Sequence, residues 1–270
     1  MRIVATLFPP VLSIAACVPI SNPSFPVTRA EAATLLKKEA ATPQKLERPL
    51  VILGGFLDVG VGPAFYARKL QPYVRGESIR ISFMDCMTFE ACRRRVVATL
   101  DRALGNVSPA ETVEVDVIGQ SMGGLVAMHA ALADPALGKR LKIRRLFTIS
   151  SPLQGASRAA RMPLDVLPLT RDMRPGSALY AKLAKQPADY EIFSYTRLDD
   201  RVVGERYASL PGRGVWWVDT PPFESAHAGA FGDSRVMLDI VRRLRGGTPL
   251  TLDPPAPLPA TRPAASPRRE

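Results

Sequence analysis

A chain of 270 residues, 46% of them hydrophobic, can bury one sizeable core, so a single domain with extensions is the expectation. A formal charge of +11 favours anionic surfaces such as membrane head groups or cell-envelope polymers, or serves solubility alone. No nucleic-acid recognition module and no repeat of aromatic and basic residues accompanies that charge, which leaves nucleic acid outside the expected partners.

Residues 1–16 place one cation, Arg2, before an apolar run from Ile3 to Ala16 that is too short to span a bilayer. This reads as a secretory signal peptide, although Pro9 and Pro10 do not suit a helix. Its end, Ser13-Ile14-Ala15-Ala16-Cys17, resembles a bacterial lipobox, and that resemblance implies a lipid anchor on Cys17. The alternatives are ordinary signal cleavage and a chain that is not exported. With Cys17 used by lipid, Cys86 and Cys92 remain, an even number that suits an oxidising compartment and a disulfide between them. So small a ring contributes only about 2 kcal/mol, and two independent thiols are the alternative. The spacing is wrong for a CxxC redox site, and no nearby histidine supports a metal site.

Residues 17–47 are rich in proline, alanine and charge and read as a tether, with a short helix around 30–40. The folded domain is expected over 48–245, and the proline-rich stretch 246–270 lacks periodicity and reads as a disordered tail. Within the domain, apolar strands are predicted at 50–53, 78–84, 112–118, 143–149, 190–196 and 214–219. Helices are predicted near 64–74, 90–104, 122–133 and 228–244, with a less regular stretch at 156–189. About six strands alternating with helices predict an α/β fold, a mostly parallel sheet covered on both faces.

The stretch around Gly119-Gln120-Ser121-Met122-Gly123 runs from a short apolar strand through a GxSxG turn into a helix, the order of a nucleophile elbow. Ser121 is the candidate nucleophile. Taken with Leu53-Gly54-Gly55-Phe56, Ser150-Ser151-Pro152-Leu153-Gln154-Gly155, Asp199-Asp200-Arg201-Val202-Val203 and His227, the chain resembles a compact α/β-hydrolase of the lipase/esterase kind over about 48–245. The resemblance implies the order nucleophile, acid, histidine, met by Ser121, Asp200 and His227.

Serine chemistry needs a base that takes the hydroxyl proton and later returns it to the leaving group. Two histidines exist. His129 lies two turns along the helix after the elbow and is expected to be structural, which leaves His227 as the base. The family's acid commonly stands one residue before a pair of aliphatic residues, which favours Asp200 over Asp199, with Asp219 as a remaining option. By the same resemblance the oxyanion hole is formed by the backbone amides of Met122 and Phe56, although Gly54-Gly55 replaces the usual His-Gly of that loop. Leu164, Val166, Leu167, Leu169, Leu179 and Leu183 either line an acyl-binding groove or pack the sheet's covering helices.

These readings converge on an exported, membrane-anchored serine ester hydrolase that works through an acyl-enzyme, acts on small-molecule or lipid esters and needs no metal or organic cofactor. Acyl transfer, thioester or amide cleavage by the same residues is the alternative, as is a non-catalytic envelope lipoprotein that keeps the fold. The sequence leaves the oligomeric state open.

Overall fold

The structure is a computed structural model and describes residue 22 and residues 24–105, 112–133, 140–161 and 167–260. The expected signal peptide, Cys17 and the last ten residues lie outside the described residues. Six parallel strands form the central sheet: β2 (Leu50–Leu53), β4 (Ser78–Ile81), β5 (Val115–Gln120), β6 (Ile143–Ile149), β7 (Glu191–Arg197) and β8 (Trp216–Val218). Their spatial order is β4-β2-β5-β6-β7-β8, and a two-stranded parallel pair, β1 (Gln44–Lys45) with β3 (Val74–Arg75), lies apart from that sheet. β2 and β5 are buried along their whole length in a doubly covered sheet: β2 is a continuous apolar run, whereas β5 also buries Asp116, paired with Arg145, and Gln120.

Alternation along β2 divides the core. Val51 and Leu53 face one cluster, Leu50 and Ile52 the other. The first cluster is covered by α3 (Phe89–Leu104), α4 (Met122–Ala131) and the short helices α5 (Ser157–Arg161), α6 (Pro168–Asp172) and α7 (Ala178–Ala184). The second is covered by α1 (Arg29–Ala40), α2 (Val61–Leu70) and α9 (Ser234–Leu244). Each fully buried leucine or isoleucine in these layers contributes about 2 kcal/mol by leaving water. The single helix expected at 228–244 is two, α8 (Ala226–Ala230) and α9. The break falls at Asp233, which is extended and caps α9 by accepting from the Arg235 amide at 3.0 Å.

Three expectations are corrected. The described part of the tether belongs to the domain: Thr28 and Glu31 form a capping box that starts α1, which packs on α9 and buries Ala32 and Leu36. Glu39 near the end of α1 pairs with Arg242 and Arg245, closing the contact. The described part of the tail is ordered on β8. Asp239 accepts from the amides of Leu250 and Thr251, while the indoles of Trp216 and Trp217 donate to the carbonyls of Leu252 and Ala256 at 3.0 and 3.1 Å. A proline-rich stretch has few donors of its own, and here two of its carbonyls are taken by tryptophans. Lastly, Cys86 and Cys92 are free thiols, both buried. Both lie inside the first core cluster, where burial, then the neighbouring sulfur, holds the Cys92 thiol protonated. They pack there as small apolar groups.

Candidate active site

The elbow is a backbone problem before it is a chemical one. Ser121 joins β5 to α4 with φ 51° and ψ −123°, a conformation that L-residues rarely adopt. Its neighbours have no room for a Cβ: one on Gly123 would stand 2.5 Å from the Leu53 carbonyl oxygen and 2.6 Å from that of Gly54. Gly119 is pressed as closely against the backbone of Gly124. Close passage of the β2 loop over the elbow therefore requires the glycines, as the motif implied.

His227 sits in α8, whose N-cap Ser225 accepts from the Ala228 amide at 3.3 Å. Its Nε2 is 3.0 Å from Ser121 Oγ and its Nδ1 is 2.9 Å from Asp200 Oδ2. Asp200 is buried and its other oxygen accepts from the amides of Val202 and Val203 at 2.9 and 3.1 Å. Burial pushes this carboxyl's pKa up, but hydrogen bonding and charge at His227 together with those two amides outweigh it and hold the group below the usual range. The alternatives for the acid lie elsewhere. Asp199 is exposed at φ 63°, and Asp219 pairs with Arg235. His129 is buried away from the serine, with Lys182 Nζ 3.5 Å and Glu90 3.9 Å from its Nε2. Desolvation, then the Lys182 charge, pushes its pKa down to about 4.

A residue that the motifs did not point to holds the histidine segment in place. Arg197, at the end of β7, is fully buried and forks between Glu224 at 2.7 Å and Asp233 at 3.0 Å. These carboxylates stand three residues before and six residues after His227, so one guanidinium ties both ends of the segment that presents the imidazole. Arg29 of α1 meets the other oxygen of Glu224 at 2.5 Å, and Ser234 donates to the Arg29 carbonyl. The signal in the sequence was a strand-end arginine within an otherwise closed core, which pattern alone does not separate from a surface cation.

Ser121 opens on a cavity of about 280 Å³ lined by Phe56, Ala156, Ala159, Met173, Val202 and Val203, with exposed Arg158 also in its wall. Of the residues that could either line a groove or pack the covering helices, Leu169, Leu179 and Leu183 pack in the core, Leu167 is the half-buried N-cap of α6, and Leu164 and Val166 lie outside the described residues. The β2 loop passes directly beside the serine, since a Cβ on Gly55 would lie 3.3 Å from Ser121 Cβ. Met122 is the first residue of α4, where an amide has no intrahelical acceptor. Among the described residues no group of three or more His, Cys, Asp or Glu side chains converges to hold a metal.

A parallel sheet with a serine at the turn after β5, an aspartate after β7 and a histidine after β8 defines an α/β-hydrolase fold. Solved structures similar to this chain include phospholipase PlaB from Legionella pneumophila, 12% identical over 73% of this chain and 60% of that one, TM-score 0.48. A metagenomic carboxyl esterase is 13% identical over 74% and 76% of the two chains, TM-score 0.44. A pyrethroid hydrolase from Sphingobium faniae is 15% identical over 74% and 97%, TM-score 0.45. The chain thus spans less than two thirds of the Legionella protein. No family model and no curated protein matches its sequence.

Proposed function

We propose that this protein is a serine ester hydrolase. The observation that carries the reading is the continuous hydrogen-bonded path from Ser121 Oγ through both nitrogens of His227 to buried Asp200. Ser121 attacks the ester carbonyl while its proton passes to His227 Nε2. His227 then protonates the departing alkoxide, leaving an acyl-Ser121. Water, giving its proton to the same nitrogen, releases the acid and restores the serine. Asp200 accepts from Nδ1–H throughout, so that Nε2 is free to receive and the imidazolium is stabilised. The amides of Met122 and Phe56 take the tetrahedral oxyanion. The apolar cavity wall suits an acyl chain.

The same reading sends the chain out of the cytoplasm on its signal peptide and anchors it by a lipid on Cys17. No described helix is long and apolar enough to cross a membrane. A fluorophosphonate probe should label the protein but neither Ser121→Ala nor His227→Ala, and labelling that ignores Ser121 would refute the enzyme. A series of p-nitrophenyl esters of rising chain length then reads the acyl preference. Mass spectrometry of the mature N-terminus should find diacylglycerol on Cys17; an unmodified N-terminus elsewhere would remove the anchor.

A further inference from the structure

Tyr207 aside, seven large apolar side chains stand exposed among the described residues, and six of them share one end of the molecule. Leu57, Val59 and Val61 follow β2, Met84 and Met87 follow β4, and Phe223 follows β8. In a parallel sheet these are all carboxyl-end connections, the same edge that carries Ser121, Asp200 and His227. Only Leu252 lies elsewhere. The loops adjoin: a Cβ on Gly60 would be 3.9 Å from Ser82, linking the β2 and β4 loops. Leu57 follows Phe56 in the cavity wall, and Phe223 stands four residues before His227.

Two of these residues are held out against their own preferences. Leu57 has φ 54° and Phe223 φ 65°, the left-handed region in which a bulky L-residue is disfavoured and glycine or asparagine is not. Their exposures are 43% and 109%, so neither recovers that cost by burial within the folded chain. A strained backbone that presents unburied apolar side chains is a feature to explain by what they meet outside the molecule. The adjoining rim supplies charge. Arg158, Arg161, Arg201 and Arg206 are exposed on α5 and on the loop after β7, and none has a carboxylate partner among the described residues. Among the described residues of that rim, Asp199 and Glu205 are acids without an ion-pair partner, while Asp58 spends its oxygens on the amides of Gly60 and Gly62.

We propose that this edge docks on an anionic phospholipid surface, the apolar side chains entering the acyl layer and the arginines meeting phosphates. The docking does not depend on catalysis. That the ester substrate is drawn from the same surface into the Ser121 cavity rests on the hydrolase reading.

The test uses the full chain carrying Ser121→Ala and Cys17→Ser throughout, so that neither turnover nor an attached lipid contributes. Co-sedimentation with phosphatidylglycerol vesicles should give strong, salt-sensitive binding, and phosphatidylcholine vesicles much weaker binding. Adding Leu57→Asn and Phe223→Asn should lower the partition coefficient at least tenfold while leaving the thermal midpoint unchanged or higher, because asparagine relieves the strain. Arg161→Gln with Arg206→Gln should weaken binding and flatten its salt dependence, whereas Leu252→Ser should have no effect. Binding unaffected by the asparagine pair overturns the proposal, and so does its loss together with a marked fall in thermal midpoint. Equal binding to phosphatidylcholine overturns the anionic surface. A dimer in sedimentation equilibrium that the asparagine pair dissolves, with vesicle binding unchanged, would assign the face to a second copy instead. Fluorophosphonate labelling of the parent reports on the hydrolase reading independently.

Discussion

Replacing Arg197 by methionine removes a buried charge of similar length and asks what the guanidinium is for. Breaking a buried ion pair costs about 3–5 kcal/mol when the partner is left uncompensated. Here neither partner is abandoned. Asp233 keeps Arg235, at 3.1 and 3.0 Å, and Arg235 stands ahead of Arg197 among the charges that draw down the Asp233 carboxyl against the effect of burial. Glu224 is partly exposed and keeps Arg29. Arg197→Met should therefore lose only about 2 kcal/mol, a fall of about 4–8 °C in thermal midpoint for a chain of this size. The activity should suffer more than the stability. With the 224–233 segment no longer tied to the end of β7, a displacement of about 1 Å at His227 costs on the order of 100-fold in kcat, with KM little changed. Hydrolysis of a short p-nitrophenyl ester and the rate of fluorophosphonate labelling should fall together, and Arg197→Lys, which cannot fork to both carboxylates, should recover only part. A variant that loses the stability and keeps its kcat would refute a positioning role and leave Arg197 as a purely structural ion pair.

Asp200→Asn keeps the oxygen that accepts from Val202 and Val203 but removes the charge facing Nδ1, so kcat should drop by about four orders of magnitude with the circular dichroism unchanged. Near-wild-type turnover would mean that another acid serves. Gly124→Ala places a methyl against the Ser151 hydroxyl and the Thr148 methyl in a closed core and should destabilise by about 1–3 kcal/mol in urea unfolding. His129 tests the pH dependence: its folded pKa of about 4 lies below the ordinary 6.5, so the unfolded chain binds the proton more readily in that window. Stability should be full above pH 6.5 and fall by up to about 3 kcal/mol as pH drops towards 4, and His129→Leu should flatten that decline. An unchanged decline would show that other groups carry it.

How far the sequence could be read follows from which forces are local. The strand at 50–53 appears as expected because a buried parallel strand is written as an unbroken apolar run, and the strand at 143–149 appears as well, with Arg144 and Arg145 near its less buried start and Leu146, Phe147 and Ile149 buried beyond them. The elbow was legible because its glycines answer to sterics within a few residues. Asp200 and His227 could be paired with Ser121 through the resemblance, and they meet across 27 and 106 residues because both follow strands that end at one edge. What composition misjudged were the ends. Residues 24–47 and 246–260 look like linkers because their apolar residues are sparse, yet Leu36 and Leu250 each find a place in a core built by distant elements. Arg197 escaped notice for the same reason: its partners become visible only when the fold brings Glu224 and Asp233 together.

The backbone strain in this chain has a location that composition could not reveal. All five non-glycine residues described with positive φ, Leu57, Ser121, Ser150, Asp199 and Phe223, follow the ends of strands, one each after β2, β5, β6, β7 and β8. Strands β2 and β5–β7 leave the sheet from a closed core and must turn at once, since a gradual turn would leave buried amides without acceptors. At Ser121 the strained turn aims a hydroxyl at His227, and at Asp199 it sets the next residue, Asp200, behind the same ring. Leu57 and Phe223 share the conformation without contributing a reacting group. Because each such turn costs about 1–3 kcal/mol, and the core could be closed with glycine at either position, the two apolar residues stand where stability alone would not put them. Their contribution is therefore to be sought on the outer surface of the edge that carries Ser121, Asp200 and His227.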